Sequence, residues 1–348
     1  MSNNTQLIDK LAKEHSLSVE EYESLLLTYT DEDKSYAAEL ALEAKKQIYG
    51  DTVFLRGLIE ISSYCKNDCL YCGLRRSNKD CLRYRLDKET ILACCKEGYF
   101  LGYRTFVLQG GEDNHFTDEV MVDIVSSIKS LYPDCAVTLS LGERSYQSYK
   151  ALRMAGADRY LLRHETASKE HYQRLHPQSM EYENRIRCLN DLKSLGFQTG
   201  CGFMVGSPYQ TMHELAMDLK LVEEFSPQMC GIGPFIPHHA TPFKDMSAGS
   251  VELTCFLLSL VRLIKPSILL PATTALGTLH PQGREMGILS GANVIMPNLS
   301  PPDARAKYEL YDGKAHTGSE AAENKRETEK RLSAIGCKAV VARGDIIE

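Results

Sequence analysis

Three cysteines fall close together in the stretch Cys65-Lys-Asn-Asp-Cys69-Leu-Tyr-Cys72, and their C-x3-C-x2-C spacing is the strongest chemical signal in the chain. Thiolates are soft ligands that suit zinc and iron–sulfur clusters alike. Structural zinc takes four protein ligands in a closed tetrahedron, and an iron–sulfur cubane normally takes four cysteines. Three local ligands without an obvious fourth leave one metal position open to an outside ligand. Cys81 is the nearby residue that would instead complete a zinc or four-cysteine site. The chain holds 12 cysteines, and Cys94, Cys135, Cys188, Cys201, Cys230, Cys255 and Cys337 are scattered through apolar stretches. There a thiol acts as a small buried hydrophobe.

Further polar groups recur at the ends of apolar runs. Gln109-Gly110-Gly111-Glu112-Asp113 pairs two glycines, which let backbone approach a ligand closely, with a carboxylate able to accept a bond from an ammonium group. Thr138 and Ser140 share one face by period-two alternation, as do Arg163 and Glu165. An exposed Arg–Glu pair contributes little, but inward-pointing charges at the end of an apolar strand are costly unless they serve a ligand. Arg185 has the planar fork that clamps a carboxylate, with a helix-surface charge as its plainer reading. His238 and His239 suggest a metal, yet no complementary ligands are evident, and they are read as loop residues.

An alternation of elements must position these groups. The first fifty residues are predicted helical. Leu7, Ile8 and Leu11 share a face, Ser18 with Glu21 forms a capping box, and a third helix runs from Asp31 to about Lys46. After Gly50, short apolar runs occur at Thr52–Ile61, Thr105–Leu108, Ala136–Leu141 and Arg159–Arg163. Others follow at Thr199–Val205, Met229–Ile236, Ile268–Ala272 and Asn293–Met296. Helical stretches separate them, among them Lys88–Glu97, Asp118–Leu131, Glu181–Leu195, Met212–Glu224 and Val251–Ile264. This α/β alternation predicts parallel βαβ units, and their number matches a complete (β/α)8 TIM-type barrel over 51–301. A doubly wound open sheet is the alternative. An N-terminal helical extension (1–50) and a C-terminal cap segment (302–348), with an acidic–basic helix near Ser319–Ile335, flank the barrel. The cysteine loop follows the first strand, at the rim where barrel active sites are built.

Composition narrows the class. An apolar fraction of 43% and a charged fraction of 25% are those of a chain with a sizeable core. A net charge of −6 gives no basic footprint for nucleic acid. The start has no basic stretch followed by an apolar core, and Leu253–Ile264 is far shorter than the roughly twenty residues of a membrane span. The expectation is a cytoplasmic protein without nucleic-acid or membrane partners, its cysteines mostly reduced.

The cysteine spacing, with the aromatic Tyr71 before the last cysteine, resembles the motif of the radical S-adenosylmethionine (radical SAM) enzymes. The resemblance implies that Cys65, Cys69 and Cys72 hold a [4Fe–4S] cluster whose open iron chelates S-adenosylmethionine. One electron then splits the sulfonium bond and yields a 5′-deoxyadenosyl radical. The cofactor performs that chemistry, and the protein supplies binding, orientation and exclusion of water. Alone, Gly-Gly-Glu is only a turn. In this position it resembles the superfamily's contact to the methionine amino group.

Longer stretches narrow the resemblance. Cys69-Leu-Tyr-Cys72-Gly-Leu-Arg-Arg76, Arg83-Tyr-Arg85 and Arg159-Tyr-Leu-Leu-Arg163-His-Glu165-Thr166 look like the HydE family of [FeFe]-hydrogenase maturases. So do Gly231-Ile-Gly-Pro-Phe-Ile-Pro-His238, Pro271-Ala-Thr-Thr-Ala275 and Gly291-Ala-Asn-Val-Ile-Met-Pro-Asn298. The likeness implies work alongside the maturases HydG and HydF on the two-iron subcluster of the hydrogenase. The substrate would be an iron–cysteine complex from HydG carrying carbon monoxide and cyanide, attacked by the radical at sulfur. It also implies cofactor contacts from Tyr71, Gln109, Gly110, Gly111, Glu112, Ser140, Glu165 and Arg185. Thr138, Arg163, Thr273, Thr274, Met296, Tyr308 and Tyr311 would line the substrate cavity. Some family members carry a second cysteine cluster near the C-terminus. Here Lys314-Ala-His316-Thr-Gly-Ser-Glu-Ala-Ala-Glu-Asn324 has no cysteine and Cys337 stands alone, so one cluster is expected.

Three rivals remain. One is a methylornithine synthase of the PylB type, and another is biotin synthase, whose extra two-iron cluster Cys135, Cys188 and Cys201 would have to imitate. The third is a non-catalytic zinc-stabilised scaffold that delivers metal. Such a scaffold has no need of Gly110-Gly111-Glu112 or of the Arg163/Glu165 pair.

Overall fold

The computed structural model describes residues 2–314 and 321–347. Strands β1 (Thr52–Leu55), β2 (Gly57–Ser62), β3 (Thr105–Gly110), β4 (Ala136–Ser140), β5 (Arg159–Leu161), β6 (Gln198–Cys201), β7 (Met204–Val205), β8 (Met229–Cys230), β9 (Gly233–Pro234), β10 (Val294–Ile295) and β11 (Lys338–Val340) alternate with helices. A six-stranded parallel sheet runs β2-β3-β4-β5-β6-β8. Parallel bridges extend the pairing from Met229 to Leu269, from Pro271 to Val294 and from Leu58 to Asn298. β10 and β11 flank β1 on its two edges.

Several predicted runs are subdivided. Thr52–Ile61 becomes two strands around Arg56, because its first half pairs with β10 and β11 and its second with β3. Thr199–Val205 breaks at Gly202, which sits at φ +154° with its Cα against the Gly231 carbonyl, where no side chain fits. Met229–Ile236 breaks at the same crossing. Arg159–Arg163 ends as a strand at Leu161. Ile268–Ala272 makes bridges only. Pro271 has no N–H for a ladder, and the Asn293 side chain accepts from Leu270 N at 2.9 Å in place of a backbone carbonyl.

The N-terminal helices α1 (Asn3–Glu14), α2 (Val19–Thr28) and α3 (Asp31–Tyr49) lie outside the sheet. Ser18 and Glu21 form the expected capping box, and Thr30 with Asp33 forms a second. α2 packs on the helix Met212–Phe225, and α1 and α3 pack on Val251–Ile264. Nearly every residue of Val251–Ile264 is therefore buried, which explains a helix apolar all round. No described helix is long and apolar enough to cross a membrane.

The C-terminal segment returns to the sheet's amino-terminal end. β11 pairs with β1, and the residues after it fasten Arg159, whose side chain is fully buried. Arg159 donates to Gln198 Oε1 (3.0 Å), Thr105 Oγ1 (3.0 Å), the Arg343 carbonyl (2.9 Å) and Asp345 Oδ1 (2.5 Å). Asp345 also accepts from Arg343 Nε at 2.8 Å. These partners hold its carboxyl below the usual carboxylate range against the opposing effect of burial. The cap helix runs Ala321–Ala334, so the start expected near Ser319, and most of the cysteine-free stretch 314–324, lie outside the described residues.

Asp345→Ala strips a buried guanidinium of its carboxylate. The expected loss is ~2 kcal/mol, less than the roughly 3–5 kcal/mol of a fully enclosed pair because Asp345 reaches solvent. Its folded pKa is depressed, so the wild-type advantage is full above the unfolded value of about 4 and shrinks as pH falls below it. Chemical denaturation of wild type and variant at pH 7 and near pH 3 checks both the size and the direction.

Candidate active site at the carboxyl ends of the strands

The cysteine loop leaves β2 and folds back against β3. Gly111 makes this possible, because any Cβ there runs into the Tyr64 carbonyl oxygen and lies 2.8 Å from Cys65 Cβ. The group approaching Gly111 on its Cβ side is thus the chain's own Tyr64–Cys65 segment, while Gly110 lies against Ile61 and Ser62. Backbone bonds fasten the loop throughout. Lys66 N donates to Glu112 O (2.8 Å), Leu70 N to Leu175 O (2.9 Å) and Gly73 N to Leu310 O (2.8 Å). Asp68 accepts two bonds from Arg75, at 2.9 and 2.7 Å, and caps Ser77.

Cys65, Cys69 and Cys72 are free thiols of intermediate exposure. Burial pushes the Cys72 thiol up to about 12 and that of Cys69 well above its ordinary range, with mutual repulsion adding to both. Such thiols ionise when a bound cation compensates the charge. Among the described residues, the group whose ligating atoms all lie within 4.8 Å of one another is His238, His239 and Asp312.

Beside the loop the strand ends gather polar atoms with nothing to bond. Thr138 Oγ1, Arg163 Nε and Nη2, Glu165 Oε2 and Thr273 Oγ1 are all buried without a hydrogen-bond partner. Arg163 Nη2 approaches Glu165 Oε2 at 3.3 Å, an ion pair by distance that lacks hydrogen-bond alignment. Each orphaned group costs about 1–3 kcal/mol, which a protein retains where a ligand will satisfy it. Glu165 adds backbone strain at φ +69°, its N–H held by the Gly202 carbonyl at 3.0 Å. These orphaned atoms and the adjacent three-thiol donor set fit an iron–sulfur cluster with a polar, carboxylate-bearing ligand.

The other expected residues are placed as follows. Glu112 accepts from Glu143 N at 3.0 Å and faces Lys66 at 3.3 Å. Gln109 and Ser140 lie opposite each other at the ends of β3 and β4. Arg185 is buried in the helix Tyr182–Ser194, not a surface charge. The carboxylate it clamps is the chain's own Glu143 (Nε–Oε1 2.6 Å), and it also donates to the Arg163 carbonyl at 2.7 Å. Tyr71 is not free. Its hydroxyl lies 3.2 Å from His176 Nε2, whose ring stacks on Tyr172. Tyr308 is buried under Lys314, which reaches over its ring to pair with Glu60. Burial raises the Tyr311 hydroxyl to about 12. Thr274 and Met296, with Glu60 and Arg284, line a cavity of ≈170 Å³.

Glu143, His176 and the buried His164–Asp218 pair (3.1 Å) went unrecognised in the sequence. Glu143 alone had a signal, standing just past a strand end beside Gly142. His164 accepts from Gly202 N at Nδ1, so Nε2 carries the proton toward Asp218. Burial drives His164 down to about 3, and it stays neutral. His238 and His239, read as loop residues without partner ligands, meet Asp312 across the fold.

A profile of the radical SAM superfamily matches residues 59–222. The [FeFe] hydrogenase maturase subunit HydE of Thermotoga maritima is 47% identical over 276 residues, covering 79% of this chain and 78% of that protein. The structure of methylornithine synthase (PylB) superposes with a TM-score of 0.83 at 24% identity, covering 96% of this chain and 97% of that one. That of HydG, a maturase of the [FeFe]-hydrogenase, gives 0.80 at 20% identity, covering 97% and 76%. The two structural likenesses speak for a shared α/β fold with a parallel sheet.

Gly111→Ala is expected to overpack the contact with Tyr64, costing about 1–3 kcal/mol and displacing Cys65. Iron per chain after anaerobic reconstitution should fall well below that of wild type while the far-ultraviolet circular dichroism is kept. Full iron loading would show that the loop tolerates the side chain.

Proposed function

We propose a function on the premise that this chain belongs to the HydE family of [FeFe]-hydrogenase maturases within the radical SAM superfamily: it acts on the iron–cysteine complex carrying carbon monoxide and cyanide that HydG releases. The chain is a radical SAM enzyme and a hydrogenase maturase, of a family that implies a [4Fe–4S] cluster and S-adenosylmethionine. The finer reading rests above all on one observation, the orphaned atoms of Thr138, Arg163, Glu165 and Thr273 beside the three-cysteine loop.

In this reading Cys65, Cys69 and Cys72 would hold one cluster, with an iron open to the amino and carboxylate groups of the cofactor. When bound, the cluster supplies the electron that cleaves the sulfonium bond and frees a 5′-deoxyadenosyl radical. Glu112 would accept an N–H of the methionine amino group, with Gln109, Gly110 and Gly111 supplying the adjacent backbone. Tyr71, Ser140 and Glu165 contact the rest of the cofactor. Arg185 acts through Glu143 and the Arg163 carbonyl, holding the backbone of Arg163 in place. Arg163 binds the substrate carboxylate, a charge pairing strengthened where water is excluded. Thr138, Thr273, Thr274, Met296, Tyr308 and Tyr311 enclose the substrate, whose sulfur receives the attack. HydG and HydF are the protein partners in this scheme.

The same reading treats residues 51–301 as a complete (β/α)8 barrel between helices 1–50 and a cap at 302–348. The bridges Met229–Leu269, Pro271–Val294 and Leu58–Asn298 support it, since with β10–β1 pairing they return the last segment to the first. The methylornithine synthase alternative is weaker, because the PylB likeness is 24% identical against 47% for HydE.

Arg163→Lys keeps the charge but loses the fork. The expected result is an electron paramagnetic resonance spectrum that still changes on adding S-adenosylmethionine, with turnover of HydG's product about a hundredfold lower, equivalent to ~2.7 kcal/mol. Unchanged turnover would remove Arg163 from the substrate. A reduced wild-type spectrum indifferent to the cofactor would sink the open-iron reading.

A further inference from the structure

We propose that His238, His239 and Asp312 form a binding site for one divalent transition-metal ion, zinc or iron(II), on the rim beside the cysteine loop and distinct from it. The ligating atoms of all three lie within 4.8 Å of one another. Asp312 Oδ1 is 2.7 Å from His239 Nδ1 and 3.8 Å from His238 Nε2. The two imidazoles stack with centroids 4.3 Å apart, and each turns one nitrogen toward Asp312 Oδ1.

The carboxylate is positioned in advance. Its second oxygen accepts the His239 backbone N–H at 2.8 Å, and Asp312 N donates to the Pro237 carbonyl at 3.1 Å. His238 is buried with its ring pressed against Gly73, while His239 is open to solvent and gives an ion a way in. Asp80 and Glu309 add negative charge around His239. Two imidazoles and a carboxylate suit zinc and iron(II), and three protein ligands leave a position for water.

Binding replaces the His239–Asp312 hydrogen bond by two bonds of about 2.0–2.2 Å to the ion, and the Nδ1 proton of His239 passes through water to its solvent-facing Nε2. His238 Nδ1 accepts from Ala240 N at 3.1 Å, so Nε2 carries that ring's proton. Capture of the ion at Nε2 moves this proton to Nδ1 and gives up the Ala240 bond. The site therefore binds less tightly than a fully preformed one. An occupied site would tie the segment carrying Tyr308 and Tyr311 to the His238–His239 loop, next to the Gly73 N–Leu310 O bond of 2.8 Å that joins it to the cysteine loop.

The test loads the cluster anaerobically, incubates the protein with zinc chloride or ferrous salt in separate arms, removes free ion by gel filtration and measures zinc and iron by mass spectrometry. The expected result is one ion of either metal beyond the cluster iron. His239→Ala and Asp312→Asn alter exposed or half-exposed side chains, and both should keep cluster iron and the wild-type melting temperature. They should hold the extra ion at least about tenfold more weakly in a chelator competition. Retention of neither metal by wild type, leaving a hydrogen-bonded latch only, or equal retention by both variants, overturns the proposal.

Discussion

Arg159 opens β5 and Arg163 stands two residues past its end, and housing these charges at the two ends of a parallel α/β fold is the constraint on which the rest of the molecule depends. At the amino-terminal end every nitrogen of Arg159 has a partner, drawn from β3, β6 and the C-terminal segment. At the carboxyl end two nitrogens of Arg163 are buried without a hydrogen bond, and Glu165 faces it at 3.3 Å out of alignment. A charge is tolerated in a dry interior when it is paired and hydrogen-bonded, and one with unmet bonds is kept where a ligand will complete it. One end of the fold is thus a sealed floor and the other a receptive mouth.

Sealing the floor explains the tail. β11 adds to β1, and Arg343 and Asp345 then reach under the sheet to Asp158, Gln198 and Arg159. Stability at that end leaves the mouth free to carry strain at Glu165 and unmet hydrogen bonds at Thr138 and Thr273. The cysteine loop is held by the same logic from its own side. Its backbone contacts with Glu112, Leu175 and Leu310 fix the thiols while burial keeps them protonated, so ionisation waits for a metal.

Within the mouth, residues that look equivalent play different parts. Arg185 and Arg163 both bear guanidinium groups beside carboxylates. Arg185 is committed to Glu143 and to the Arg163 backbone, which makes it a support for its neighbour. Tyr71 is likewise tied into an aromatic stack through His176 and Tyr172, which orients the loop between Cys69 and Cys72.

The sequence by itself determined what depends on neighbours along the chain. The cysteine spacing, the capping box at Ser18 and Glu21 and the helix Asp118–Leu131 were all legible, because spacing of a few residues fixes them. Only the tertiary structure decided which inward arginine is satisfied and which carboxylate Arg185 holds. It alone showed that Gly111 makes room for Tyr64 and Cys65, and that Asp312 joins His238 and His239. Those relations join segments far apart in sequence, and no local period encodes which distant backbone or side chain will arrive at a given strand end.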